Sequence, residues 1–99
     1  MKYVLSWVSK PNSGDAEARE GLGVFSRWAP SPNATFKEFL GRVDGQGGYA
    51  VVETDDPATI ARDTAIFGVY FDFEVHPVVE IADNARLAME AIEFRGASS

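Results

Sequence analysis

The chain has 99 residues, of which 45% are hydrophobic and 24% charged, a balance typical of one globular domain. Its net charge of −6 argues against nucleic-acid binding, since phosphate contacts need a clustered basic face. The absence of cysteine excludes disulfides, thiolate metal ligands and thiol catalysis. The apolar runs are too short for a signal peptide or a membrane span, so we expect a cytoplasmic protein with no membrane partner.

The first half of the chain predicts one helix among three strands. Residues 2–9 alternate in polarity, as a strand with two different faces does. From Asp15 to Trp28 apolar residues recur at helical spacing, and the APSPNA segment ends this helix because residues before proline avoid helical geometry. Residues 35–43 and 49–55 predict two further strands.

The glycine-rich stretch between those two strands predicts either a hairpin or a phosphate-binding loop. Gly45, Gly47 and Ala50 match the spacing G-x-G-x-x-A of a dinucleotide fingerprint. That fingerprint requires a helix after the glycines, whereas β-forming residues follow here. Glycines also supply the positive φ angles of tight hairpins. The sequence therefore predicts a hairpin.

Two adjacent aspartates precede a proline and invite a comparison of helix capping with metal binding. Aspartate is a favoured N-cap and proline a favoured first helical residue, so Asp56 and Pro57 predict the start of a helix. A calcium loop would need more oxygen ligands at loop spacing, and that pattern is absent around Asp55. Capping is the interpretation that we adopt.

The remainder of the chain predicts a strand and a final helix. Residues 70–80 alternate strictly, and Pro77, which cannot donate to a ladder, places this strand at a sheet edge. A last helix is expected over residues 83–95, with Gly96 as its stop. Residues 97–99 are expected to form a flexible tail.

The predicted order is β-α-β-β-α-β followed by a helix, which is the ferredoxin-like arrangement of the α+β class. Right-handed crossovers then give a four-stranded antiparallel sheet in the order 4-1-3-2, with the last strand at an edge. We expect one domain over residues 1–96. One face of its sheet would show Tyr, Val and Leu side chains to water, which predicts a homodimer through that face.

Four segments carry a resemblance to a known family: MKYVLSW at the start, FSRWAPSPNATFKEFLGRVDGQGGYAVVETDDP (25–57), FEVHPVVEI (73–81) and AIEFR (91–95). On these segments the chain resembles the bacterial domain-of-unknown-function family 3303. The resemblance implies a dimeric α/β barrel, in which two ferredoxin-like sheets pack face to face. That superfamily includes cofactor-free monooxygenases, isomerases, haem enzymes and ligand-binding modules, so the resemblance assigns no activity and no catalytic residue.

His76 is the only histidine and the only side chain whose ordinary pKa lies near neutrality. It is in strand phase with Glu74, opposite the phenylalanines of the same strand, and is expected to point away from the helices. If the protein is an enzyme, we expect His76 to act as general base, oriented by Glu53, while Arg42 holds an anionic group. The alternative is that these residues form an interface network or meet solvent.

The phase of the second strand places Phe36, Glu38, Leu40 and Arg42 on one face. The ligand-binding candidates are Arg42, Glu38, Tyr49, Trp7 and Trp28. For the aromatic residues, an alternative to a pocket between sheet and helices is simple core packing. A single histidine is too little for a zinc or haem site, so no metal and no cofactor are expected.

Three functions remain open on the sequence. The first is a homodimeric binder of a small, partly apolar organic molecule, and the second is a cofactor-free isomerase or monooxygenase. The third is a structural or interaction protein without a ligand. A cavity lined by aromatic residues and His76 would favour the first two, and a filled interior would favour the third.

Overall fold

The structure is a computed structural model that describes residues 1–97. In that range the elements are β1 (Lys2–Ser9), α1 (Asp15–Arg27), β2 (Ala34–Gly41), β3 (Gly47–Thr54), α2 (Pro57–Phe67), β4 (Phe71–Val78) and α3 (Ile81–Ala97). The strands form one antiparallel sheet in the order β2-β3-β1-β4. The predicted ferredoxin-like fold with a C-terminal helix, and its strand order, are confirmed. Within residues 1–97, none of the helices combines the length and apolar character that a bilayer crossing requires.

The core lies on the inner face of the sheet, which α1 and α2 cover. Alternate residues of a strand point to opposite faces, so Tyr3 and Leu5 of β1 share this face with Ala50 and Val52 of β3. Ile60 of α2 packs onto them from the helical layer. Together they are the buried hydrophobic residues of the described chain. This small cluster leaves much of the inner face to be lined by half-exposed aromatic rings.

The β2–β3 connection is the predicted hairpin. The Gly47 carbonyl accepts a hydrogen bond from the Arg42 amide at 2.8 Å. Gly45 has a φ of +72°, as a tight turn requires. Gly47 does not have the positive φ that we expected of it. A Cβ built there would lie 1.8 Å from the carbonyl oxygen of Trp7, so glycine is needed for a close backbone approach.

An irregularity in β2 corrects the predicted phase of that strand. The register shifts between Phe36 and Glu38, so that Phe36 lies opposite Val52 while Phe39 lies opposite Ala50. Both phenylalanines therefore point to the inner face, because Val52 and Ala50 are core residues. Phe36 does not share a face with Glu38 as predicted, since a bulge reverses the alternation once.

Two local predictions in the second half of the chain are confirmed. Asp56 caps α2, because its Oδ1 accepts the backbone N–H of Ala58 at 3.1 Å and Pro57 is the first helical residue. Pro77 lies in β4 at an edge of the sheet, paired with Tyr3 of β1.

The last helix is longer than predicted at both ends. It begins at Ile81 and continues through Gly96 to Ala97, so Gly96 is not its stop. Of the predicted tail, residues 98–99 lie outside the described part of the chain.

Candidate functional site

A groove of about 1000 Å³ lies between the inner face of the sheet and the two helices that cover it. This volume is at the upper end of the roughly 300–1,000 Å³ typical of small-molecule sites. Its aromatic lining includes Trp7, Phe25, Trp28, Phe36, Phe39 and Phe67. The groove exists because no residue of α1 is buried, so that helix closes the inner face incompletely.

Trp28, which follows α1, is at the centre of this aromatic lining. Its ring stacks on Phe25 with centroids 5.9 Å apart, and it meets Phe36 and Phe67 edge-on at 5.6 and 5.8 Å. Phe39 lies 6.1 Å away in the same edge-on geometry. Such pairs each contribute about 0.5–1.5 kcal/mol beyond the area they bury. The rings therefore hold one another in place, while Phe25 and Phe39 remain exposed.

A buried acid, Asp63 of α2, lies beneath these rings and was not among the predicted site residues. Only 7% of it is exposed, and its Oδ1 accepts the indole N–H of Trp28 at 3.0 Å. Arg62 is the cation beside it, with Nε 3.7 Å from the same oxygen. The sequence does contain a signal, because Asp63 is three residues after Ile60 and four before Phe67, on the inner stripe of α2.

Polar groups mark another part of the groove lining. The Tyr70 hydroxyl donates a hydrogen bond to Glu20 at 2.9 Å. Desolvation raises the pKa of Tyr70, and the hydrogen bond to negatively charged Glu20 raises it further. Lys10, which also lines the groove, donates to Asp72 at 2.8 Å. The groove thus combines an aromatic surface with hydroxyl, ammonium and carboxylate groups.

The predicted ligand-binding residues divide between two places. Trp7 and Trp28 line the groove, as a pocket between sheet and helices requires. Glu38 and Tyr49 lie on the outer face of the sheet, which is the face away from α1 and α2. Arg42 follows β2 in the hairpin and forms an ion pair with Asp44 two residues later.

The outer face also carries His76, which is exposed and does not line the groove. Its Nε2 lies 3.5 Å from Oε2 of Glu74 on the same strand. Glu53 is on β3, separated from β4 by β1, and its carboxylate lies 3.5 Å from Nζ of Lys37. A single chain therefore does not bring His76 and Glu53 together, and their catalytic roles stay a prediction. Among residues 1–97, no three potential metal-ligating side chains cluster.

Comparison with known proteins identifies the family. Residues 1–92 match the family described as "Domain of unknown function (DUF3303)". The chain belongs to this family. No curated protein matches it significantly. Since the family description states no activity, the function of this DUF3303 domain must be argued from its surfaces.

Proposed function

We propose that this DUF3303 domain binds a small, partly apolar organic molecule in the aromatic groove. The observation that carries the proposal is the groove itself, about 1000 Å³ of space lined by aromatic rings around a buried acid. Ligand sites in proteins are concave, mostly apolar and provided with a few polar groups that orient the ligand. A filled interior, which would favour a protein without a ligand, is not what this chain has.

The lining indicates the chemistry of the ligand. The exposed rings of Phe25 and Phe39 offer stacking and edge contacts to a planar ring system. An ionised carboxylate only accepts hydrogen bonds, so Asp63 would select a ligand with a hydroxyl or N–H donor. Tyr70 and Lys10 can serve a polar substituent at another position along the groove.

We expect 2-naphthol to bind the protein and to change its tryptophan fluorescence. Both tryptophans of the chain line the groove, so their emission reports directly on its occupancy. 2-Methoxynaphthalene, which lacks the hydroxyl donor, should bind more weakly by about tenfold, the effect of one lost hydrogen bond of about 1.4 kcal/mol.

Two matched variants locate the binding site of that probe. Phe25→Ala removes a groove ring and should weaken 2-naphthol binding about tenfold or more. Tyr49→Ala removes an aromatic residue from the outer face and should leave the affinity unchanged. Equal effects of the two variants, or no fluorescence response of the parent protein, would refute the groove proposal.

We further propose that the domain is a homodimer through the outer face of its sheet. Leu40 is 53% and Tyr49 50% exposed there, and Val8 of β1 is exposed as well. Val51 is the next residue on this face of β3 after Tyr49 and pairs with Val4 of β1, so that Leu40, Tyr49, Val51 and Val4 are neighbours across the sheet. A contiguous apolar patch of this kind is typical of an interface in a soluble protein.

The dimer is expected at micromolar concentration in sedimentation equilibrium. Leu40→Asp combined with Tyr49→Asp buries like charges at the interface and should raise the dimer dissociation constant at least 100-fold. Phe25→Ala, on the opposite face, should leave that constant unchanged. A parent protein that sediments as a monomer at micromolar concentration would exclude this interface.

The enzyme alternative makes use of the same face. His76, the predicted general base, is exposed on the outer face, which the proposed dimer would bring against a second copy. This catalytic role remains a prediction, as does the cytoplasmic location. If a substrate is found and its turnover is unaffected by His76→Ala, the catalytic role of His76 is excluded.

A further inference from the structure

The C-terminal helix α3 stands apart from the rest of the fold. It begins at Ile81, two residues after the edge strand β4, and its 17 residues span about 25 Å at 1.5 Å per residue. Each residue from Ile81 to Glu90 is exposed. Ile81 is 82% exposed and Ile92 53%, which is unusual for large aliphatic side chains on one element.

Four aliphatic residues of α3 follow one side of the helix. With 3.6 residues per turn, Ile81, Ala85, Ala88 and Ile92 follow one line along the helix. Met89 lies about 70° from the centre of that line, whereas Leu87 and Phe94 lie on the far side of the helix, next to Asp83, and all three are exposed.

The opposite side of α3 carries charged residues that pair with one another. Arg86 donates to Glu90 at 3.0 Å and lies 3.8 Å from Asp83. Such pairs stabilise a helix by only about 0.2–0.5 kcal/mol each, and a lone helix of this length is marginal in water. An amphipathic helix of this design requires a surface that buries its apolar side.

The shape of the chain shows that it exposes more surface than a compact domain of the same size does. Its longest dimension is 61 Å against 30 and 21 Å, and its radius of gyration is 17.8 Å, whereas about 13 Å is expected for a compact domain of 99 residues. The accessible surface is 7020 Å², against about 5500 Å² for a compact monomer of this mass. The excess exceeds the roughly 800 Å² that each partner buries in a standard interface.

We call α3 the arm of this chain. An ion pair joins its base to β1 of the sheet. Nζ of Lys2 in β1 donates to Glu80 at 2.7 Å, immediately before α3. This contact raises the pKa of Lys2 and lowers the pKa of Glu80. The Glu80 carbonyl also accepts hydrogen bonds from the backbone amides of Asp83 and Asn84, and these bonds form the first helical turn. These contacts place the start of α3 beside β1.

We propose that the apolar side of α3 docks on a second copy of this chain, reciprocally, so that each copy's helix clasps the other. The inference rests on the homodimer of the proposed function and adds a second element to its interface. The excess area of each chain favours this occupant, because two chains together supply more than a standard interface needs. A lipid surface fits less well, because interfacial helices are rich in Lys and Arg whereas the polar side of α3 carries Asp83, Glu90 and Glu93.

A photoreactive residue on the full-length chain tests the contact directly. p-Benzoylphenylalanine at Ile92 lies on the apolar side, and the same residue at Glu90, about 200° away around the helix, is its matched control. A mixture of tagged and untagged chains is irradiated at micromolar concentration. We expect a covalent adduct between different chains from position 92 and at least a fivefold lower yield from position 90. Adducts only within one chain, or equal yields from the two positions, would overturn the proposal.

Substitutions separate a failure of the arm from a failure of the sheet interface. Met89→Glu with Ile92→Glu should raise the dimer dissociation constant at least tenfold and speed amide exchange throughout α3. Asp83→Asn with Glu90→Gln, on the polar side, should change neither. A parent dimer that the first pair leaves intact overturns the arm but not the sheet interface, whereas a monomeric parent overturns both. Concentration-independent protection of α3 in a monomer, or binding to phosphatidylcholine–phosphatidylglycerol vesicles in place of dimerisation, also contradicts the clasp.

Discussion

Gly47→Val is expected to destabilise the protein severely. A Cβ at this position would lie 1.8 Å from the carbonyl oxygen and 2.8 Å from the carbonyl carbon of Trp7, both of them backbone atoms. Trp7 belongs to β1, an interior strand paired on both sides, so it cannot move away without breaking a ladder. Mutations that disrupt the backbone in this way cost about 4 kcal/mol or more, a large share of the 5–15 kcal/mol that stabilises a domain.

Two other glycines of the same region serve as controls for that substitution. Gly45 has a φ of +72° but open space around it, so Gly45→Ala should cost only about 1–2 kcal/mol of backbone strain. Gly41 has neither a positive φ nor a neighbour within 4 Å of its built Cβ, so Gly41→Ala should be nearly neutral. Soluble yield and thermal unfolding by circular dichroism rank the three variants. A Gly47→Val protein that folds normally but loses nucleotide binding would instead support the phosphate-binding interpretation of this loop.

The parts of the fold that the sequence predicts are those that depend on local chemistry. The residues that follow Gly47 are β-formers, which is why a hairpin and not a nucleotide loop could be predicted. Asp56 and Pro57 specify the start of α2, and the structure confirms both the capping hydrogen bond of Asp56 and Pro57 as the first helical residue. Strand order follows from the handedness of crossovers, and Pro77 independently identifies the edge.

The errors arise where one residue changes the pattern of a whole element. The register shift between Phe36 and Glu38 moves Phe39 to the inner face, and no turn residue marks it in the sequence. Glycine commonly ends helices, yet α3 continues past Gly96, because residue type alone does not fix where a helix ends.

Whether the space between sheet and helices is an open groove or a filled core could not be predicted, because periodicity identifies the side of a helix and not its distance from the sheet. The apolar stripe of α1 correctly indicated that Phe25 faces the sheet, but none of the helix is buried. Asp63 lies on the inner stripe of α2, where a charged residue is easily attributed to solvent. Its partner, Trp28, is 35 residues away in the chain, so only the tertiary structure shows that the two meet.

Trp28→Ala is expected to destabilise the domain by about 3 kcal/mol, the lower end for a large aromatic truncation because Trp28 is only half-buried. Its ring contacts Phe25, Phe36, Phe39 and Phe67, so the lining of the groove loses its central member. Urea unfolding followed by circular dichroism measures the loss, since the substitution also removes one of the two tryptophan fluorophores.

Trp28→Phe isolates the hydrogen bond from the ring. The aromatic contacts are largely kept, but the buried Asp63 loses the indole N–H that lies 3.0 Å from its Oδ1. Leaving such a group without its partner costs about 1–3 kcal/mol, whereas replacing both partners by apolar groups is close to neutral. Trp28→Phe combined with Asp63→Leu should therefore be more stable than Trp28→Phe alone. If the two single substitutions instead add without coupling, the bond contributes nothing to stability.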